Sequence, residues 1–210
     1  MRLTKYAHSC LRVEHDGGVL VVDPGMFSDP TVALDGVDAV LITHEHPDHL
    51  DVAAVRLQLD RQPFPIHGPA SLAGALGDAA EALRPVTVGE SFTAAGVAVR
   101  AYGGQHAVIH PDIPTVDNLG YLINDVVYHP GDALVVPEET PVDTLFAPIH
   151  APWSKFSEVV DFIRAVAPRR AYALHDALLN DNGLRVLDRQ YAAMSGTDYQ
   201  RLEPGSRVDV

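Results

Sequence analysis

Ala39-Val40-Leu41-Ile42-Thr43-His44-Glu45-His46-Pro47-Asp48-His49 is the stretch on which the reading of this chain turns. The apolar run Ala39–Ile42 is short, partly β-branched and preceded by Gly36 and Asp38, which predicts a buried strand. Pro47 lacks a backbone donor and disfavours helix at His46, so the polar residues belong to a loop at that strand's end. His44, His46, Asp48 and His49 put four metal-capable side chains within six residues. Spaced i and i+2, His44 and His46 can converge on one cation from a turning loop. Asp48 and His49 follow the turn and can face a second cation. Imidazole suits zinc and other late first-row metals, and a carboxylate adds charge to hold them. A surface loop that is merely rich in histidine is the competing explanation, in a chain with 11 His.

Size and composition bound the rest. A chain of 210 residues and 22.6 kDa predicts one domain over 1–210. Hydrophobic residues make up 47% and charged residues 20%, as in an ordinary globular protein. No segment reaches the apolar length that spans a bilayer, and Met1–Tyr6 has no signal-peptide core. The single cysteine, Cys10, excludes an internal disulfide framework and a cysteine-rich zinc site, so a cytoplasmic location is expected. A net charge of −13 repels phosphate backbones, and the one basic cluster, Arg164, Arg169 and Arg170, reads as a solvated helix end. The expected partner is a small-molecule substrate rather than nucleic acid or membrane. A homo-oligomer is left open.

Along the chain, strands are expected at 2–7 and 10–14 around His8-Ser9-Cys10, then at 19–22 after the Asp16-Gly17-Gly18 turn. That last strand ends in Asp23-Pro24-Gly25, where a buried carboxylate needs a partner. A helix is expected from Val52 to Leu59, a short strand near 65–69 with His67 as a structural histidine, and an alanine-rich helix over 70–83. Strands near 86–88 and 91–94 precede an alternating strand, Val97–Tyr102, that delivers Gly103-Gly104-Gln105-His106. The glycines allow a sharp turn that points His106 into a site, completing a three-histidine set with His44 and His46. His110 competes for that place, and His106 is preferred because it directly follows strand and glycines. A hairpin is expected around Asn124-Asp125, ending in His129-Pro130-Gly131-Asp132. A strand at 143–149 leads to His150 and Trp153, a helix covers 157–166, a strand at 170–174 ends at His175, and a helix covers 184–193.

Asp23, the HEHPDH loop, His106, Asp132 and His175 in this order resemble the metal-binding pattern of the metallo-β-lactamase fold superfamily, over nearly the whole chain. That resemblance implies an α/β fold of four layers, an αβ/βα sandwich with the site at one sheet edge. It implies that His44, His46 and His106 form one metal site, that Asp48, His49 and His175 form the other, and that Asp132 bridges them. Asp23 would support the metal loop by hydrogen bonding, with His129 a neighbour rather than a ligand. Two divalent metal ions are expected, zinc in the first place, with manganese or iron as alternatives. The implied activity is hydrolysis of an ester, lactone or phosphodiester by a metal-activated hydroxide, with Asp48 also accepting or relaying a proton. His150 and His110 are candidates for contacting substrate or protonating the leaving group, and Trp153 either walls the pocket or packs in the core. The competing function is a non-hydrolytic metal-binding protein, or an iron-dependent oxygen- or thiol-oxidising enzyme of the same fold.

Overall fold

The protein, a computed structural model, is described over residues 1–138 and 140–210. Its first sheet contains β1 (Arg2–Lys5), β2 (Leu11–His15), β3 (Gly18–Val22), β4 (Ala39–Leu41), β5 (Ile66–Gly68), β6 (Leu83–Pro85) and, from the far end of the chain, β14 (Ser206–Asp209). These lie in the order β14-β1-β2-β3-β4-β5-β6. The second sheet contains β7 (Ser91–Ala94), β8 (Val97–Gly103), β9 (Leu119–Ile123), β10 (Val127–His129), β11 (Thr144–Pro148), β12 (Arg170–Leu174) and β13 (Asp198–Gln200), in the order β13-β12-β11-β10-β9-β8-β7.

Alternation along the strands produces the layers, because successive side chains point to opposite faces. In β3, Leu20 and Val22 join one apolar cluster while Val21 joins another. In β12, Tyr172 and Leu174 join that first cluster while Ala171 and Ala173 join a third. The first cluster therefore lies between the two sheets. The second covers the outer face of the first sheet, under α1 (Pro30–Ala33), α2 (Val52–Arg61) and α3 (Leu72–Leu76), which contribute Ala33, Val55, Leu72 and Leu76. The third covers the outer face of the second sheet, under α4 (Phe156–Val166) and α5 (Asp181–Met194), which contribute Val159, Val160, Ile163 and Tyr191. The result is the expected αβ/βα sandwich.

Strand direction explains where the site sits. β3 to β6 run parallel, as do β10 to β13, and every parallel step except β10 to β11 crosses over through a segment that carries a helix. The antiparallel pairs β1–β2–β3 and β8–β9–β10 place β1 in line with β3 and β8 in line with β10. The segments after β1, β3, β4, β8, β10 and β12 carry His8, Asp23, the 43–49 loop, His106, Asp132 and His175, so each follows the carboxyl end of its strand. Across the sandwich, the Tyr121 hydroxyl donates to Ile42 O at 2.8 Å and Leu119 N donates to Thr43 O at 2.9 Å, which ties the two sets of ends together.

Two local expectations need correction. The helix expected over 70–83 is α3 alone, followed by a 3-10 turn at Gly77–Ala82, with Arg56 Nη2 taking the Leu76 carbonyl at 2.7 Å. The strand expected near 86–88 lies at Leu83–Pro85, where pairing of Ile66 with Leu83 and Gly68 with Pro85 sets its register. Short α1 and β13 carried too little pattern to be expected. Among the described residues, no helix is long and apolar enough to cross a membrane.

Candidate metal centre

The loop after β4 is held mainly by Asp23. Its Oδ1 accepts from Thr43 N at 2.8 Å, and its Oδ2 accepts from Thr43 Oγ1 and His49 Nδ1, each at 2.7 Å. The backbone closes the same loop: His49 N and Leu50 N donate to His46 O at 2.9 Å, and Met26 N donates to Pro47 O at 2.8 Å. Gly25 lies so close that a Cβ there would fall 1.9 Å from Asp48 O.

Hydrogen bonds on one ring nitrogen aim the other nitrogen inward, as in metal-ligating histidines. His49 Nδ1 donates to Asp23, His106 Nδ1 to Ala107 O at 2.5 Å, and His175 Nδ1 to His150 O at 2.7 Å. The Thr43 hydroxyl gives its one hydrogen to Asp23, so it accepts from His44 Nδ1 at 2.9 Å. In all four rings this network leaves Nε2 as the nitrogen that faces the interior.

The inward atoms form overlapping groups, each within 4.8 Å: His44, His46 and His106; His8, Asp48, His49 and His175; and His44, His49 and Asp132. Asp132 also approaches His175 Nε2 at 3.2 Å and His106 Nε2 at 3.4 Å, so it stands between the two histidine-rich groups. Among the described residues, six buried side-chain polar atoms lack a hydrogen-bond partner, and four are His8 Nδ1, His106 Nε2, Asp132 Oδ1 and His175 Nε2. Such atoms are costly to bury, and the convergence of the His106, Asp132 and His175 atoms fits bound cations. His44 Nε2 lies 3.1 Å from His46 Nδ1, two nitrogens that need a shared proton or metal between them. Imidazole and carboxylate donors without thiolate fit a first-row divalent metal.

The sequence matches the family described as the beta-lactamase superfamily domain over residues 2–175. The chain belongs to that superfamily. It is 42% identical to protein Rv0786c of Mycobacterium tuberculosis over 214 residues, covering 99% of each chain. It is 25% identical to a UPF0173 metal-dependent hydrolase of Anoxybacillus flavithermus over 169 residues, covering 71% of this chain and 73% of the relative. In fold it is similar to Igni18, a metallo hydrolase from Ignicoccus hospitalis, with a TM-score of 0.75 and 19% identity over 99% of this chain and 97% of that one.

This superfamily member brings together His44, His46, Asp48, His49, His106, Asp132 and His175. It does not bring in two other candidates. His110 is exposed on the loop after His106, where its Nδ1 accepts from Asp112 N at 3.1 Å. His150 contributes its backbone carbonyl to His175, and its side chain is absent from the lining of the central cavity. Both expectations followed sequence proximity to a strand end, and for His110 the loop leaves the ring exposed. His129 lies buried behind the centre and donates to Ser9 O at 2.9 Å, while His67 stacks on Phe92 elsewhere. Burial pushes the Cys10 thiol up to about 12, which leaves it unreactive.

His8 is the residue that sequence reading missed. It is buried, its Nε2 lies 3.0 Å from Asp48 Oδ2, and its ring centroid lies 3.9 Å from that of His175. Asp176 accepts from His8 N at 3.0 Å and from Lys5 Nζ at 3.3 Å, which fastens the β1 end to the His175 loop. Asn118 performs a similar task for Asp132, its Oδ1 accepting from Asp132 N at 3.0 Å. His8, Asp23 and His175 all adopt positive φ, at 58°, 47° and 60°. Backbone of this kind collects at functional sites. The one available signal was a polar His8-Ser9 pair directly after a strand.

Three substitutions test these placements. His106→Ala should lose metal from the His44–His46 group, whereas His110→Ala should retain wild-type metal content by elemental analysis. His8→Ala should weaken metal binding by about 10- to 100-fold in competition titrations, the usual effect of losing a partner that orients a ligand. Unchanged affinity would remove His8 from the centre.

Electrostatics set the pH response. Burial, reinforced by His49 and His46, holds His44 well below the ordinary histidine range. Burial works against charge on His175 too, but Asp132 and Asp48 outweigh it and raise the pKa from 6.5 to about 9. Asp132 and Asp23 likewise outweigh burial and raise His49. Burial lowers His8 to about 4, so a neutral His8 donates to Asp48. Burial opposes ionisation of Asp48 as well, yet hydrogen bonds from His175 and His8 hold it below the usual carboxylate range.

The sign follows from linkage. In protein stripped of metal, the His175 contribution to stability is complete below 6.5 and is lost as pH rises through about 9. Metal must displace that proton, so affinity should climb over the same interval, by up to about tenfold per pH unit for each proton displaced. Melting temperature with chelator should therefore lose this contribution between these pH values while zinc affinity rises. Affinity that levels off at 6.5 would show that His175 carries no proton to displace.

Proposed function

We propose that the two histidine-rich groups hold two divalent metal ions, zinc in the first place, with Asp132 shared between them, and that the substrate is a small-molecule ester, lactone or phosphodiester. The chain is a metal-dependent hydrolase of the metallo-β-lactamase fold. The position of Asp132 among His44, His49, His106 and His175 carries the dinuclear reading, since a carboxylate has two oxygens to share and a neutral imidazole does not. Such a metal pair supplies a low-pKa water as nucleophile and a Lewis acid for the substrate oxygen.

The chain's own residues prepare that chemistry. Trp153 Nε1 donates to Asp132 Oδ2 at 2.9 Å and fixes the angle of the shared carboxylate. His8 orients Asp48, which lines the cavity beside His175. Hydrogen bonds from His175 and His8 keep Asp48 ionised at the cavity wall, which suits it to hold a metal ion and, with one bound, to hand on a proton rather than keep it. The net charge of −13 supports a small-molecule substrate rather than nucleic acid, and one buried, unpaired cysteine agrees with a cytoplasmic setting.

Turnover of generic ester, lactone and phosphodiester substrates by zinc- or manganese-loaded protein tests the reading. Activity should disappear with chelator and return with metal. Metal-loaded protein that turns over none of the three classes would refute it.

A further inference from the structure

The cavity in front of the centre has a volume of about 310 Å³ and is open to solvent. His46, Asp48, His106, Asp132 and His175 form its reactive wall. Its other lining residues are Phe27, Pro47, Ile109, Pro152, Trp153 and Leu178, all apolar or aromatic. No lysine or arginine is among the lining residues, and the one side-chain donor among the apolar and aromatic ones, the Trp153 indole N–H, is engaged with Asp132.

Four separate loops build the wall. Phe27 follows β3, Ile109 follows β8, Trp153 follows β11 and Leu178 follows β12. Each loop thus delivers one large apolar side chain to the same opening. Phe27 is 48% exposed and Leu178 44%, a surface that water solvates poorly and that marks a binding site when it rims a cavity. The wall also touches the reactive side: Phe27 meets the His8 ring edge-on at 5.2 Å, and Trp153 meets the His106 ring at 6.0 Å.

We propose that this wall holds the hydrocarbon part of an uncharged carboxylic ester or lactone, which narrows the substrate class and rests on the hydrolytic reading of the centre. A nucleotide-like phosphodiester would bring sugar hydroxyls, bases or further charge against side chains that offer no counter-charge and no free hydrogen-bond donor. Burial of those groups without partners is unfavourable, whereas burial of a hydrocarbon chain is favourable by the hydrophobic effect. Hydrolysis then adds the elements of water across the acyl C–O bond, releasing an alcohol, a carboxylate and a proton to solvent, or from a lactone one hydroxy carboxylate and a proton. No co-reactant beyond water is required.

Trp153 is the only tryptophan in the chain, so intrinsic fluorescence reports directly from this wall. Metal-loaded protein should be titrated with straight-chain alcohols from butanol to octanol, which are uncharged and not hydrolysable. Affinity should rise with length, by up to about fourfold per methylene while the chain stays within the cavity. Phe27→Asp and Leu178→Asp should flatten that series, with metal content measured in parallel to show that the centre is intact. Turnover of p-nitrophenyl esters should follow the same trend from acetate to octanoate and exceed that of bis-p-nitrophenyl phosphate.

A flat alcohol series, a series unchanged in both variants, or preference for the phosphodiester would overturn the inference. The hydrolytic reading fails separately: a graded alcohol series with no turnover of any substrate would retain the apolar wall and reject the hydrolase. Ester turnover with a flat series would do the reverse.

Discussion

Asp132→Ala is expected to strip metal from both histidine-rich groups together and to abolish metal-dependent turnover. Its carboxylate lies 3.1 Å from His49 Nε2, 3.2 Å from His175 Nε2 and 3.4 Å from His106 Nε2, so it reaches ring nitrogens of both histidine-rich groups. Without it the centre loses a negative charge as well as a ligand. The upward pull of Asp132 on His49 and His175 also disappears, so both rings should titrate lower. Metal affinity should fall by more than the ~10- to 100-fold that follows loss of an orienting partner alone. Elemental analysis should show the content dropping from about two ions per chain, the number expected of a two-metal site. Asp132→Asn keeps the shape and one acceptor oxygen but not the charge, and should fall between wild type and alanine. Full retention of both ions in Asp132→Ala would end the bridging assignment.

The second large effect comes from a residue with no chemistry of its own. In Gly25→Ala the new Cβ would lie 1.9 Å from Asp48 O, 2.1 Å from Asp48 C and 2.5 Å from His49 N. All three atoms are backbone, so no side chain can swing aside. Gly25 does not have positive φ, and alanine is locally acceptable there. The conflict is entirely between the turn after β3 and the metal loop after β4. Moving one or the other should cost about 1–3 kcal/mol, as overpacking does. It should also displace Asp48 and His49 together and weaken metal binding by their group. Gly17→Ala is the informative contrast: φ is 86° and nothing lies within 4 Å of its Cβ, so the penalty there is conformational and far from the centre. A Gly25→Ala protein with wild-type melting temperature and metal affinity would mean that the two loops are not in fixed contact.

That contrast separates local pattern from tertiary contact. Turn chemistry, alternation and helical pattern are local, so β3, β4, β8, β9, α2, α4 and α5 were legible, each within a few residues. The histidines of the 43–49 loop and Asp132 were legible because strand ends announce themselves by a change from apolar to polar composition. Local pattern also misled: the alanine-rich 70–83 stretch has high helix propensity throughout, yet the helix ends at Leu76. His110 follows a strand and two glycines almost as closely as His106, and only the path of the loop separates a buried ring from an exposed one.

By itself, then, the sequence determined the strand ends, the acidic balance, the donor types and, through their order, the family. Tertiary structure alone decided which donors meet. His8 and Asp48 are forty positions apart, and Lys5 and Asp176 are 171 apart. No periodicity spans such intervals, because side-chain direction repeats over two residues in a strand and 3.6 in a helix. Long-range partners depend on how two sheets stack and on which loops share an end. The same holds for the apolar wall. Phe27, Ile109, Trp153 and Leu178 lie in four loops far apart in the sequence, and only the closed sandwich makes them one surface.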